Sequence, residues 1–143
     1  MKVKRSSRLN AVTVLLLDDE FDLVTILKQG LERRGFQVFS FTDPFLALEH
    51  FKINAVNYNL VISDLRMPGM NGFEFLTKVK EIRSDIKIFL MTAFEVNDLE
   101  LSVAISPFKI EEFILKPFSI QNLNMIIDKH VSLKIIAEIA SSK

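Results

Sequence analysis

The chain contains no cysteine and no tryptophan, and His50 and His130 are its only histidines among 143 residues. Without thiols there is no disulfide, thiol nucleophile or thiolate metal site. Two histidines are too few ligands for hydrolytic zinc chemistry. Glycine is nearly as scarce. Gly30, Gly35, Gly69 and Gly72 are the whole set, and their spacing fits neither G-x-G-x-x-G nor G-x-x-x-x-G-K-[ST], which removes the usual dinucleotide and nucleoside-triphosphate readings. An excess of charge is also missing. Eighteen basic residues balance eighteen acidic ones, so no global field draws the chain onto nucleic acid or an anionic membrane. Mean hydropathy is high at +0.26, yet no run approaches the ~18 consecutive apolar residues of a spanning helix. Lys2, Lys4, Arg5 and Arg8, followed by the apolar run from Ala11 to Leu17, imitate a signal peptide. That run stops at Asp18-Asp19-Glu20 without a small-residue cleavage site. A cytoplasmic protein is expected, with residues 1–10 as a disordered solubilising arm rather than a nucleic-acid contact.

What is present is an alternation of short β-rich runs and helical patterns, five times over, in a chain that is 49% apolar and 25% charged. Val12 to Leu17 reads as a strand covered on both faces. Phe21 to Arg34 follows as a helix, with Leu23, Leu27 and Leu31 at helical spacing and Gly35 as its C′ residue. Gln37 to Phe41 is a second strand. Asp43-Pro44 supplies an N-cap and an N1 proline for a helix through about Phe51. Leu60 to Ser63 is a third strand, and Phe73 to Arg83 a helix with Phe75, Leu76, Val79 and Ile82 inward. Ile86 to Met91 is a fourth strand, Asn97 to about Ile105 a fourth helix closed by Pro107, and Phe113 to Leu115 a fifth strand. The last helix is expected from Ile120 toward Ala140. Five strand–helix units predict an α/β fold, a doubly wound parallel sheet with helices on both faces. One domain is expected over 11–130, with 131–143 extending the last helix.

The strand ends carry the chemistry. Strand one runs into Asp18-Asp19, strand three into Asp64, strand four into Thr92 and strand five into Lys116. In open α/β sheets ligands bind outside the carboxyl ends of the strands, where the strand order reverses. A 2-1-3-4-5 order would make strands one and three neighbours there and gather Asp18, Asp19 and Asp64. Two carboxylates ~4 Å apart repel by roughly 4 kcal/mol at an effective dielectric of 20, so three of them call for a proton or a cation. An all-oxygen donor set favours a hard ion such as Mg²⁺. Lys116 adds a permanent positive charge, and the pocket becomes one that can take a phosphoryl group, with an aspartate as nucleophile and Thr92 as a hydrogen-bond donor. Taken singly these residues are unremarkable: Asp-Asp-Glu before a helix is an ordinary N-terminal cluster, and Pro68-Gly69 and Asn71-Gly72 are ordinary turn residues.

Asp18-Asp19-Glu20, the run from Ser63 to Gly72, Met91-Thr92-Ala93 and Lys116-Pro117-Phe118 together resemble the receiver domain of bacterial-type response regulators, over about Val12 to His130. The resemblance implies a five-stranded flavodoxin-like sheet and a phosphorylation-dependent signalling switch rather than an enzyme. It implies Asp64 as phosphoacceptor for a sensor histidine kinase or phosphotransfer protein. Mg²⁺ or Mn²⁺ would be held by Asp64, by Asp19 directly, by Asp18 largely through water, and by the Arg66 backbone carbonyl. Thr92, the Ala93 backbone and Lys116 would bind phosphoryl oxygens, and Phe113 would be the aromatic switch partner of Thr92. The Lys116-Pro117 peptide would be cis. Arg66 and Phe94, two residues beyond Asp64 and Thr92, would tune the phosphoryl lifetime. One departure stands out: Lys109-Ile110, preceded by Pro107, occupies the place of the family's frequent Gly-Ala pair, in a segment slightly longer than usual.

Output is expected in trans, through an effector protein, without nucleic-acid binding or membrane insertion. Val131, Leu133, Ile135, Ile136 and Ile139 suggest exposed apolar surface on the last helix and a homodimer through it. The alternative is a receiver-like interaction module that works without phosphorylation. A small α/β hydrolase with an aspartyl nucleophile ranks third, since neither a cap domain nor a second acid/base pair is visible.

Overall fold

In the computed structural model, residues 12–93 and 108–132 are described. Five parallel strands form one sheet in the order β2-β1-β3-β4-β5: β1 (Thr13–Leu17), β2 (Gln37–Phe41), β3 (Leu60–Asp64), β4 (Lys87–Thr92) and β5 (Glu112–Leu115). Leu15 pairs with Phe39 on one side and Val61 on the other, which makes β1 the neighbour of both β2 and β3. The middles of the central runs are apolar because both faces of a parallel sheet are covered, and every residue of β1 and β3 is buried.

Among the described residues, four α-helices cover the two faces: α1 (Phe21–Glu32), α2 (Pro44–Asn54), α3 (Gly72–Ile82) and α4 (Ile120–Ile127). The α2 and α3 layer packs Ala47, Phe51, Phe75 and Val79 against Leu15, Leu17 and Val61. On the other face α1 and α4 pack Leu27, Leu31, Leu123 and Ile127 against Val14, Leu16 and Ile62. Alternate residues of one strand thus feed opposite cores, as the period-two pleat requires.

Local signals set the helix ends. Gly35 adopts φ +93° just past α1, and the Phe36 N–H returns to the Leu31 carbonyl at 3.3 Å; glycine reaches that conformation without a Cβ clash. Asp43 caps α2 by accepting from the Phe45 N–H, ahead of Pro44. Asn71 and Glu74 form a reciprocal capping box on α3.

Two expectations need correction, and the course of the last helix is tested only as far as Ser132. Ile82, expected inward, is 37% exposed: it is the last residue of α3 and lies beyond the stripe that reaches the core. Regular α-helix stops at Ile127 and gives way to a π-helical turn over Asp128–Ser132. Val131, expected on exposed apolar surface, is instead buried in the α1–α4 core. The basic leader, Phe94, the helix expected from Asn97 and residues 133–143 lie outside the described residues.

Candidate phosphoacceptor pocket

The carboxyl ends of β1, β3, β4 and β5 converge, and each delivers a polar side chain. Asp18 follows β1 and is fully buried, while its neighbour Asp19 is exposed and Asp64, the last residue of β3, is buried. Carboxylate oxygens of these three aspartates lie within 4.8 Å of one another. Lys116, after β5, reaches the group from the opposite side. Its Nζ donates to Asp18 Oδ2 at 2.6 Å and to Asp64 Oδ1 at 2.9 Å, with Glu20 Oε1 at 3.5 Å. The other oxygen of Asp18 accepts from the Glu20 N–H at 2.9 Å.

Backbone bonds tie these ends together. The Lys116 N–H donates to the Thr92 carbonyl, and the Leu65 N–H to the Met91 carbonyl. Thr92 is buried at the end of β4, and Ala93 after it is exposed. The Lys116-Pro117 peptide is cis. Arg66 is exposed two residues past Asp64. Phe113, paired in register with Leu90, is half-buried against the α2–α3 core.

The electrostatics follow from burial. Desolvation raises Asp64 above the ordinary carboxylate range; the Lys116 hydrogen bond opposes this, and the charges of Asp18 and Asp19 add to it. Burial by itself would lower the Lys116 ammonium, but its bonds to Asp18 and Asp64 outweigh that and hold it above its ordinary value. The donors facing the three-aspartate cluster are carboxylate oxygens, and Asp19 remains open to solvent. Such a set suits a hard divalent cation that keeps several waters, so the residues present fit Mg²⁺.

Two contributors were not singled out from the sequence. Glu20 joins through its backbone N–H on Asp18 and its carboxylate near Lys116. Gly72 opens α3 directly beneath the end of β3 that carries Asp64. A Cβ there would lie 2.9 Å from Leu65 Cα and closer still to the Asp64 carbonyl oxygen, so glycine permits the approach. An Asn-Gly pair that reads as a turn signal carried no mark of that contact.

A doubly wound sheet with an acidic, lysine-bridged pocket at its switch point defines a class, the phosphoacceptor signalling domains. The family model for the response regulator receiver domain matches residues 14–128, and the chain belongs to that family. Among relatives, it is 35% identical to the C4-dicarboxylate transport transcriptional regulatory protein DctD of Rhizobium meliloti over 79% of this chain, a stretch that spans only 24% of that protein. It is 26% identical to sporulation initiation phosphotransferase F of Bacillus subtilis over 85% of this chain and 94% of the relative. A receiver domain crystal structure from Clostridium thermocellum superposes with a TM-score of 0.77 at 25% identity, covering 88% of this chain and 98% of that one. Among the described residues, no helix is long and apolar enough to cross a membrane.

Proposed function

We propose that the chain is a phosphorylation-dependent switch in which Asp64 accepts a phosphoryl group from a histidine kinase or phosphotransfer protein. The observation that carries this reading is the Lys116 ammonium held between Asp18 and Asp64 at the edge of the three-aspartate cluster. Asp18, Asp19, Asp64 and the Arg66 backbone carbonyl would hold Mg²⁺ or Mn²⁺, which supplies charge neutralisation for phosphoryl oxygens.

Asp64 supplies the nucleophile. One carboxylate oxygen bonds to phosphorus as the P–N bond to the donor imidazole breaks, and the bonding pair leaves with that imidazole. Lys116 then pairs with a phosphoryl oxygen in place of Asp64 Oδ1, and the Thr92 hydroxyl and Ala93 N–H donate to others. The Thr92 movement is passed to Phe113, whose half-buried ring has room on its solvent side. Arg66, two residues past Asp64, and Phe94, two residues past Thr92 in the sequence, would tune its lifetime. The near full-length likeness to sporulation initiation phosphotransferase F supports a state that is read by a separate protein.

Intact mass spectrometry after incubation with a small phosphodonor tests this. One Mg²⁺-dependent, hydroxylamine-labile phosphoryl adduct is expected on the parent and none on Asp64→Asn. An adduct that persists in Asp64→Asn would move the acceptor elsewhere. If a donor kinase and the small phosphodonor both leave the parent unmodified, the phosphorylation-independent module takes precedence.

A further inference from the structure

Among the described residues, strand β2 is an edge of the sheet, paired with β1 alone. Native edge strands are ordinarily blunted by charge, proline, a bulge or a covering segment. Gln37-Val38-Phe39-Ser40-Phe41 carries no charge and no proline. The ladder shows which backbone groups are unused. Gln37 N–H donates to the Val12 carbonyl at 2.8 Å, and the Phe41 carbonyl accepts from Asp18 N–H at 3.2 Å. Alternation along a strand therefore turns the N–H and C=O of Gln37, Phe39 and Phe41 toward β1, and those of Val38 and Ser40 outward.

Both sheet faces are open beside this edge. A groove of about 270 Å³ between β2 and α2 is lined by Gln37, Phe39, His50 and Asn54. A second, of about 450 Å³, lies on the α1 face beside Phe21, Thr25, Lys28 and Ser40. Along α2, Leu46 and Ile53 share a stripe with His50 and are 61% and 82% exposed. That helix thus carries exposed apolar side chains besides those it buries in the core.

We propose that two copies of this chain pair through their β2 edges, antiparallel about a two-fold axis at Phe39, and join their sheets into one of ten strands. The register is self-complementary. Val38 and Ser40 of the second copy exchange both backbone hydrogen bonds, and the reciprocal pair does the same. Phe39 then faces its counterpart in the non-hydrogen-bonded site between them, and Gln37 faces Phe41 of the second copy. A two-fold interface must be made of one patch meeting itself, and this one is.

Charge selects the antiparallel arrangement. Arg33, before β2, is exposed and has no ion-pair partner among the described residues, whereas Arg34 is already committed to Asp128 at 3.1 Å. Asp43, just past β2, is exposed and uses Oδ1 to accept from the Phe45 N–H. Antiparallel pairing about Phe39 brings the Arg33 end of each strand to the Asp43 end of the other, twice per dimer. Parallel pairing would set Arg33 beside Arg33. The two phosphoacceptor pockets, at the carboxyl ends of the strands, then face opposite ways and stay accessible.

The absence of cysteine makes the test direct. In sedimentation velocity the parent is expected near twice its 16.4 kDa mass at high micromolar concentration. Phe39→Lys, and Ser40→Pro, which removes an outward N–H where an edge strand tolerates proline, are expected to weaken association at least tenfold while each variant still melts cooperatively by circular dichroism. Phe39→Cys, the only thiol in its chain, should close an intermolecular disulfide under mild oxidation, because facing Cα atoms in a non-hydrogen-bonded antiparallel site lie about 4.5 Å apart. Met125→Cys, 67% exposed on α4, should stay reduced. A parent that remains monomeric overturns the proposal and leaves the edge vacant or to a segment of another protein. A dimer that survives both edge variants and cross-links through Met125→Cys overturns it in favour of the last helix.

Discussion

Asp18 has no exposed surface, and a single ammonium meets its outer oxygen: Lys116 at 2.6 Å, itself 10% exposed at the side chain. A buried ion pair adds modest net stability, because desolvation offsets the Coulomb gain. Removing one partner is different, and costs about 3–5 kcal/mol by leaving the other charge uncompensated. Lys116→Met is therefore expected to lose about 3 kcal/mol in chelator-treated buffer and to regain part of it in millimolar Mg²⁺, as the divalent ion neutralises the same carboxylates. Urea melts with and without Mg²⁺ measure this. Equal stabilities of parent and variant without the metal would mean that the ammonium is not what keeps Asp18 in the core.

Among the elements, the start of α3 sets the position of Asp64. Asn71 accepts from the Glu74 N–H at 2.9 Å while the Glu74 carboxylate returns to the Asn71 N–H, and Gly72 donates to the Leu65 carbonyl at 2.7 Å. Two substitutions one residue apart should separate stability from chemistry. Asn71→Ala removes a cap and is expected to cost about 1 kcal/mol with little change in the rate of phosphoryl adduct formation. Gly72→Ala forces a Cβ into the backbone of Asp64 and Leu65, so it should cost about 1–3 kcal/mol and slow adduct formation as well. Denaturant melts and a mass-spectrometric time course read the two effects. Adduct formation at the parental rate in Gly72→Ala would show that the close approach serves packing alone.

At the scale of the molecule, stability acquires a pH dependence at the sheet edge, away from the pocket. His50 on α2 is bonded at both ring nitrogens, to Tyr58 Oη at 2.5 Å and to Asn54 Nδ2 at 3.3 Å, and it packs against Phe39 and Phe41. Burial holds its pKa below the ordinary 6.5. The unfolded chain then binds a proton at a higher pH than the folded one, so this contribution is complete above pH 6.5 and is lost as pH falls from there toward the folded value. The unfolding free energy of the parent should drop across that window more than that of His50→Gln. Parallel pH profiles for the two would remove His50 as the cause.

Much of this was legible in the residues themselves. Short apolar runs marked all five strands to within about a residue, most plainly in β1 and β3, where burial on both faces leaves no polar alternation to misread. Asp43-Pro44 and Gly35 marked helix ends through backbone rules that act locally. Asp18, Asp19, Asp64 and Lys116 were legible as a set because each directly follows or ends a hydrophobic run. Only the folded sheet decided how they divide the work: that Asp18 is buried and Asp19 open, that one lysine bridges Asp18 and Asp64, and that Glu20 and Gly72 belong to the same pocket. The same holds for Val131, buried by α1 and α4, for Ile82, left at the surface, and for the place of β2 at the sheet edge among the described residues. Periodicity and capping reach only a few residues along the chain, whereas the Asp18–Lys116 contact joins residues 98 positions apart. Burial and charge pairing of that kind depend on strand order and register, which exist only once the sheet has formed.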